Sequence, residues 1–65
     1  MFIVEYFNKN TEKVIKGLTY QNSVSVPRVG DTVYLEGVYY IVGNSTWIYY
    51  GDDMVRVIVN IHKEM

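Results

Sequence analysis

The chain predicts an all-β fold: a single small, SH3-like, strongly bent antiparallel sheet or partly open barrel of about five strands. Three observations carry that expectation. β-Branched and aromatic residues gather in runs bounded by Gly, Pro, Asn and Asp, which is the pattern of strands joined by tight turns. No segment repeats its apolar residues at the roughly 3.6-residue spacing of an amphipathic helix. And 65 residues allow one domain, 1–65, with a correspondingly small core.

The elements follow in order. Phe2–Phe7, FIVEYF, is β-branched and aromatic, and the polar NKNTEK after it reads as a turn. Lys13–Val26 is a second, less regular strand in which Gly17 marks a candidate bulge. Pro27 lacks the N–H a ladder needs and ends it. Asp31–Val42, DTVYLEGVYYIV, is a hairpin turning at Glu36–Gly37. The stretch Gly43–Thr46 interrupts the pattern, and Met54–His62, MVRVIVNIH, is the most regular strand of all.

Register makes the hairpin testable. With Glu36 and Gly37 as the turn, Leu35 faces Val38, Tyr34 faces Tyr39 and Val33 faces Tyr40. Side chains alternate between the faces of a sheet, so Val33, Leu35, Val38, Tyr40 and Val42 share one side. In the last strand Val55, Val57, Val59 and Ile61 do the same. These valine-rich sides are the expected core. The opposite side carries Tyr34, Tyr39, Ile41, Met54 and Ile58, with Arg56, Asn60 and His62 among them. A face that merely meets water should be mainly polar. A contiguous apolar group there marks a contact surface, unless the bent sheet folds over and covers it within one chain.

Trp47 depends on a bulge. An extra residue in Gly43–Thr46 would turn it to the core side, beside Val55 or Val57; without one it lies outside near Arg56, where ring and guanidinium could stack. Burial is the expectation, because a small core needs its largest apolar side chain. Tyr49 and Tyr50, beside the Gly51-Asp52-Asp53 tip, are then exposed aromatics.

Within Val26–Trp47 the order of Pro27, Gly30, Asp31, Val33, Gly37, Tyr40, Val42 and Trp47 resembles the opening of SH3-like small β-barrels. It is also similar to short accessory proteins of bacteriophages and mobile elements. The paired tyrosines and acidic loop of peptide-binding SH3 domains are missing, so proline-rich ligands are not implied. What the resemblance implies is a barrel architecture and a phage-type protein that binds and blocks a host protein, for example a defence component, in the host cytoplasm.

Composition excludes several functions. Six Lys or Arg against seven Asp or Glu give a net charge of −1, whereas nucleic-acid binders present a basic stripe. Cysteine is absent and His62 is the one histidine, which removes disulfides and argues against a structural metal as the staple. A chain this short buries only about 60% of its unfolded surface, so subunit association, with a homodimer first, is the staple left. No apolar run reaches the ~18 residues of a membrane span, and the start MFIVEYFNKN lacks the features of a secretory signal. A cytoplasmic location is expected, and Asn44-Ser45-Thr46 is then a chance glycosylation match.

Catalysis finds no set of parts. His62 has no nucleophile beside it, and Ser23, Ser25 and Ser45 lie in turn-like or irregular sequence. Gly51-Asp52-Asp53 resembles the metal-holding hairpin of RNA polymerases, but that site needs further carboxylates, so a plain turn is the reading. The expectation is a non-enzymatic interaction protein with no cofactor and no metal. It would bind a protein partner through Tyr34, Tyr39, Ile41, Tyr49, Tyr50, Met54, Arg56 and Ile58, residue types that interface cores favour. A second reading is a small-ligand, nucleotide-like binder that stacks a base on tyrosine and holds a phosphate with Arg28 or Arg56, at a subunit junction. A third is a single-strand nucleic-acid binder with aromatic platforms, disfavoured by the missing basic groove.

Overall fold

A computed structural model describes residues 1–22 and 25–64. Strands β1 (Phe2–Asn8), β2 (Lys13–Tyr20), β3 (Thr32–Leu35), β4 (Val38–Tyr49) and β5 (Val55–Lys63) form one sheet in the order β2-β1-β5-β4-β3. The sheet curls into a half-barrel, with no helix among the described residues. Every connection reverses the chain, so β1 and β5 run in the same sense. Because they are also neighbours, their ladder is parallel, where an antiparallel sheet was expected. The other three ladders are antiparallel.

The β3–β4 hairpin has the expected register: Leu35 opposes Val38, Tyr34 opposes Tyr39 and Val33 opposes Tyr40. Glu36 and Gly37 both hold positive φ, 52° and 82°. That is the two-residue turn whose twist matches a hairpin, and it explains why glycine stands second. Upstream, the Asp31 carboxylate accepts the Arg28 N–H at 2.8 Å and the Asp31 N–H bonds the Arg28 carbonyl at 3.0 Å. This turn, with Gly30 at φ 91°, delivers the chain to the β4 edge, where Gly30 N–H meets the Val42 carbonyl.

The core is the valine side of the sheet. Val4, Tyr6, Tyr40, Val42, Val57, Val59 and Ile61 are buried, with Ile15, Leu18, Tyr20, Val26, Val33, Leu35, Val38 and Val55 packed around them. Both valine-rich sets assigned by alternation therefore face inward. Each fully buried valine or isoleucine contributes about 1.5–3 kcal/mol, against a total margin of roughly 3–10 kcal/mol for a chain this size. Asn8 is the buried polar residue beside them. Its Oδ1 accepts the Asn10 N–H at 2.9 Å and its carbonyl the Glu12 N–H at 2.7 Å, so it folds the β1–β2 turn while satisfying itself.

Three expectations change. The β1–β2 irregularity lies opposite Tyr6–Phe7, at Ile15, and Gly17 pairs regularly with Glu5. The extra residue turns Ile15 toward the core cluster, which an apolar side chain can use and a glycine cannot. The second strand stops at Tyr20, short of the expected Val26; Ser23 and Val24 lie outside the described residues. And Gly43–Thr46 is not a break but part of a 12-residue β4. Its bulge falls between Val42 and Asn44.

That bulge has the expected effect on direction and not on burial. It sets Trp47 opposite Val57, on the core side, yet Trp47 stays 42% exposed. The reason is length. β3 pairs with β4 only through Val38–Ile41, so beyond Val42 no described strand continues the sheet past Trp47. At ~3.3 Å per residue, the 12 residues of β4 reach about 40 Å, while the hairpin covers only the first third of that strand.

Candidate functional site: the outer sheet face

On the outer face, alternation and register bring residues from four strands together. Ile3, Glu5 and Phe7 of β1 stand level with Arg56, Ile58 and Asn60 of β5. These stand level with Ile48, Thr46 and Asn44 of β4. Further along, Ile41 lies opposite His62 and Thr32. Ile3, Phe7, Ile41, Ile48 and Ile58 are half-buried, although the core they would serve is on the other side.

One end of this face is aromatic. The Tyr39 carbonyl accepts the Glu64 N–H at 3.1 Å, so Tyr39 bonds toward β5 and its pairing with Tyr34 is of the non-hydrogen-bonded kind, in which side chains approach most closely. Their ring centroids lie 4.8 Å apart with a tilt of 55°, a favourable geometry for two quadrupoles. Both rings remain exposed, Tyr34 by 61% and Tyr39 by 56%. They are not sealed within the chain.

The centre carries a charge pair. Arg56 Nε donates to Glu5 Oε1 at 2.5 Å across the β1–β5 ladder. The Glu5 hydrogen bond, followed by one involving Tyr50, raises the Arg56 pKa and fixes it as a cation. A partner seated here meets an already neutralised pair with apolar flanks, not a bare charge.

Of the expected contact residues, Tyr34, Tyr39, Ile41, Arg56 and Ile58 lie on this one face. Tyr50 bonds through its N–H to the Met54 carbonyl at 2.9 Å and reaches Arg56 at the far end; Met54 is half-buried there. Tyr49 is separate: it opposes Val55, on the core side with Trp47, and is 69% exposed. Ile3, Phe7 and Ile48 join the outer face without having been expected. The signal was present in FIVEYF, whose two apolar alternations fill both sides of β1.

Two concavities flank the sheet. One of about 510 Å³ is lined by Ser25, Val26, Pro27, Arg28, Asp31, Thr32 and Val33. It contains Arg28 but no tyrosine, whereas Arg56, the other arginine of the nucleotide-binding reading, has Tyr50 beside it. The other, about 480 Å³, is lined by Asn8, Asn10, Thr11, Lys63 and Glu64. Among the described residues no His, Asp or Glu group gathers in a way that could hold a metal ion, and no helix is long and apolar enough to cross a membrane. No family model, curated protein or solved structure matches the chain.

Proposed function

We propose that this chain is a non-enzymatic protein-binding module whose outer sheet face docks a macromolecular partner. The observation that carries the reading is the exposed Tyr34–Tyr39 pair beside half-buried Ile41, with half-buried Ile58 further along the same face beyond the hydrogen-bonded Asn44–Asn60 pair, on a side that a single-layer sheet has no reason of its own to make apolar. Rigid tyrosines offer large contact area at low entropic cost, and Arg56, held by Glu5, adds an oriented polar group at the centre. In its biological form, taken from the local resemblance, the reading is a phage-type accessory protein that covers a working surface of a host protein in the host cytoplasm.

The test uses Tyr39→Lys and Ile58→Lys. Wild-type chain immobilised against bacterial lysate should retain one protein stoichiometrically, and each variant should weaken that complex by about thirty-fold or more, the signature of an interface hot spot. Both variants should keep the far-UV spectrum of the parent. Retention that collapses steeply with added salt and recovers nucleic acid would overturn the reading; so would retention unchanged in both variants.

A further inference from the structure

The sheet is open along β2, along the outer side of the four-residue β3, and along the part of β4 that β3 leaves uncovered. Which way the β4 backbone points there follows from its hydrogen bonds. The Tyr50 N–H bonds to the Met54 carbonyl, so Tyr50 is directed at β5. Thr46 and Ile48, in the same phase of the ladder opposite Ile58 and Arg56, are directed at β5 too. In an antiparallel ladder the alternate residues point the other way. Ser45, Trp47 and Tyr49 therefore turn their N–H and C=O groups to the open edge, with no backbone partner among the described residues. No residue from Val38 to Tyr50 is charged or proline. Natural edges are normally blunted by such residues.

We infer that this edge is the seat of a second copy of the chain, joined β4 to β4 in antiparallel register about a two-fold axis at Trp47. The proposal is independent of the outer-face reading and uses a different surface. In that register Trp47 opposes Trp47 of the second copy, and Ser45 opposes its Tyr49. Each pair exchanges both backbone hydrogen bonds, because all three residues are in the outward phase. The smallest side chain on that side then meets a tyrosine, and the two tryptophans stack at the axis over the row of Val57. On the other side, Thr46 meets Ile48 and Asn44 meets Tyr50.

Area and charge favour a second copy over an unrelated peptide. Trp47, Tyr49 and Tyr50 are 42%, 69% and 52% exposed, which at ~150–250 Å² per aromatic side chain leaves roughly 350 Å² open in each copy. The edge backbone with exposed Asn44 and Thr46 brings two copies toward the ~1,000 Å² total that a specific interface needs. The register also carries the acidic tip, Asp52 and Asp53, toward the start of β3 in the second copy, where Arg28 and Asp31 are both exposed. The edge itself carries no charge from Val38 to Tyr50, so nothing along it repels a second copy.

Light scattering coupled to size exclusion, over a dilution series, should give twice the chain mass of 7.6 kDa at high concentration. Ser45→Pro removes an outward N–H and no β4–β5 hydrogen bond, so it should abolish the larger species while keeping the strand spectrum. The chain has no cysteine, so Trp47→Cys gives an orthogonal reading. Cysteines paired across the axis, with Cα atoms ~5.5 Å apart, fall within the ~4.4–6.8 Å disulfide window and should form a covalent dimer on mild oxidation, where Tyr34→Cys does not. A wild type of single-chain mass at millimolar concentration overturns the proposal. So does a dimer that survives Ser45→Pro, or one that Tyr34→Cys links and Trp47→Cys does not.

Discussion

Two exposed stretches of this sheet's border, β2 and the part of β4 beyond β3, are built on opposite principles. β2 is exposed, carries Lys13 and Lys16, and is bent by the irregularity at Ile15. Charge and bulge each discourage another strand from pairing there. β4 is the longest strand, and none of its residues is charged. Its own bulge at Gly43 lies in the β4–β5 ladder and leaves the segment from Ser45 to Tyr49 regularly paired with β5 and open on its other side. A protein this small has little stability to spend on ornament. That one edge is defended and the other is not points to a use for the second.

The comparison breaks most sharply within β4 itself. Thr46→Pro and Ser45→Pro differ by one position, but the Thr46 N–H points to β5 and the Ser45 N–H to the open edge. Proline there removes a central ladder bond and leaves a β5 carbonyl unpaired, which costs about 1–3 kcal/mol, a large share of the whole margin. Thr46→Pro should therefore unfold the chain at room temperature, read as loss of the cooperative urea transition, while Ser45→Pro keeps one. If both variants melt alike, the phase assigned to this strand is wrong.

The turn that places β3 on the β4 edge gives the next effect. Gly37 adopts φ 82°, a conformation costing a β-branched residue about 1–3 kcal/mol. Gly37→Val should lower the urea midpoint accordingly and uncover more of β4, raising self-association as the hairpin frays. Glu36→Asn, which suits φ 52° better, should move the midpoint the other way by about 0.5 kcal/mol.

Removing the defence of the other edge is a milder change. Lys13→Thr with Lys16→Thr leaves the core untouched and lifts β-propensity on an open strand. Stability should shift by less than about 0.5 kcal/mol, but concentrated solutions should show higher oligomers in sedimentation, because both edges now accept strands. A double variant that stays at the wild-type mass would show that Ile15, not charge, closes β2.

Much of this was legible in the residues. Glu36-Gly37 fixed the hairpin register, and the valines of β5 assigned the core, because both depend on alternation and one turn type. Trp47 shows what was not legible. Its direction followed from a bulge at Gly43, a local matter, but its exposure depends on where β3 ends, which only the Arg28–Asp31 turn and the sheet order decide. The parallel β1–β5 ladder was hidden for the same reason: strand order is a long-range property. On the outer face, Tyr34, Tyr39, Ile41, Arg56 and Ile58 were brought together by alternation alone. Tyr49 parted from them because the bulge reverses every side chain after it.

A final test uses the side of the sheet next to β2. Tyr6 is buried on the core side, and burial first, with the nearby Tyr20 second, raises its pKa above the ordinary 10.0. The folded state thus favours the neutral phenol. Its contribution is fully present below the unfolded pKa of about 10 and is lost as pH rises through the higher folded value. Stability should stay level through neutral pH and fall in strong base, with β1 and the defended edge loosening before the β4 edge does. Tyr6→Phe removes the titrating group and should flatten the alkaline limb of the urea midpoint against pH, at a small cost at neutral pH. Amide exchange at pH above 10 would show which edge opens first. If the β4–β5 amides exchange before those of β1–β2, the order of firmness is the reverse of the one expected here.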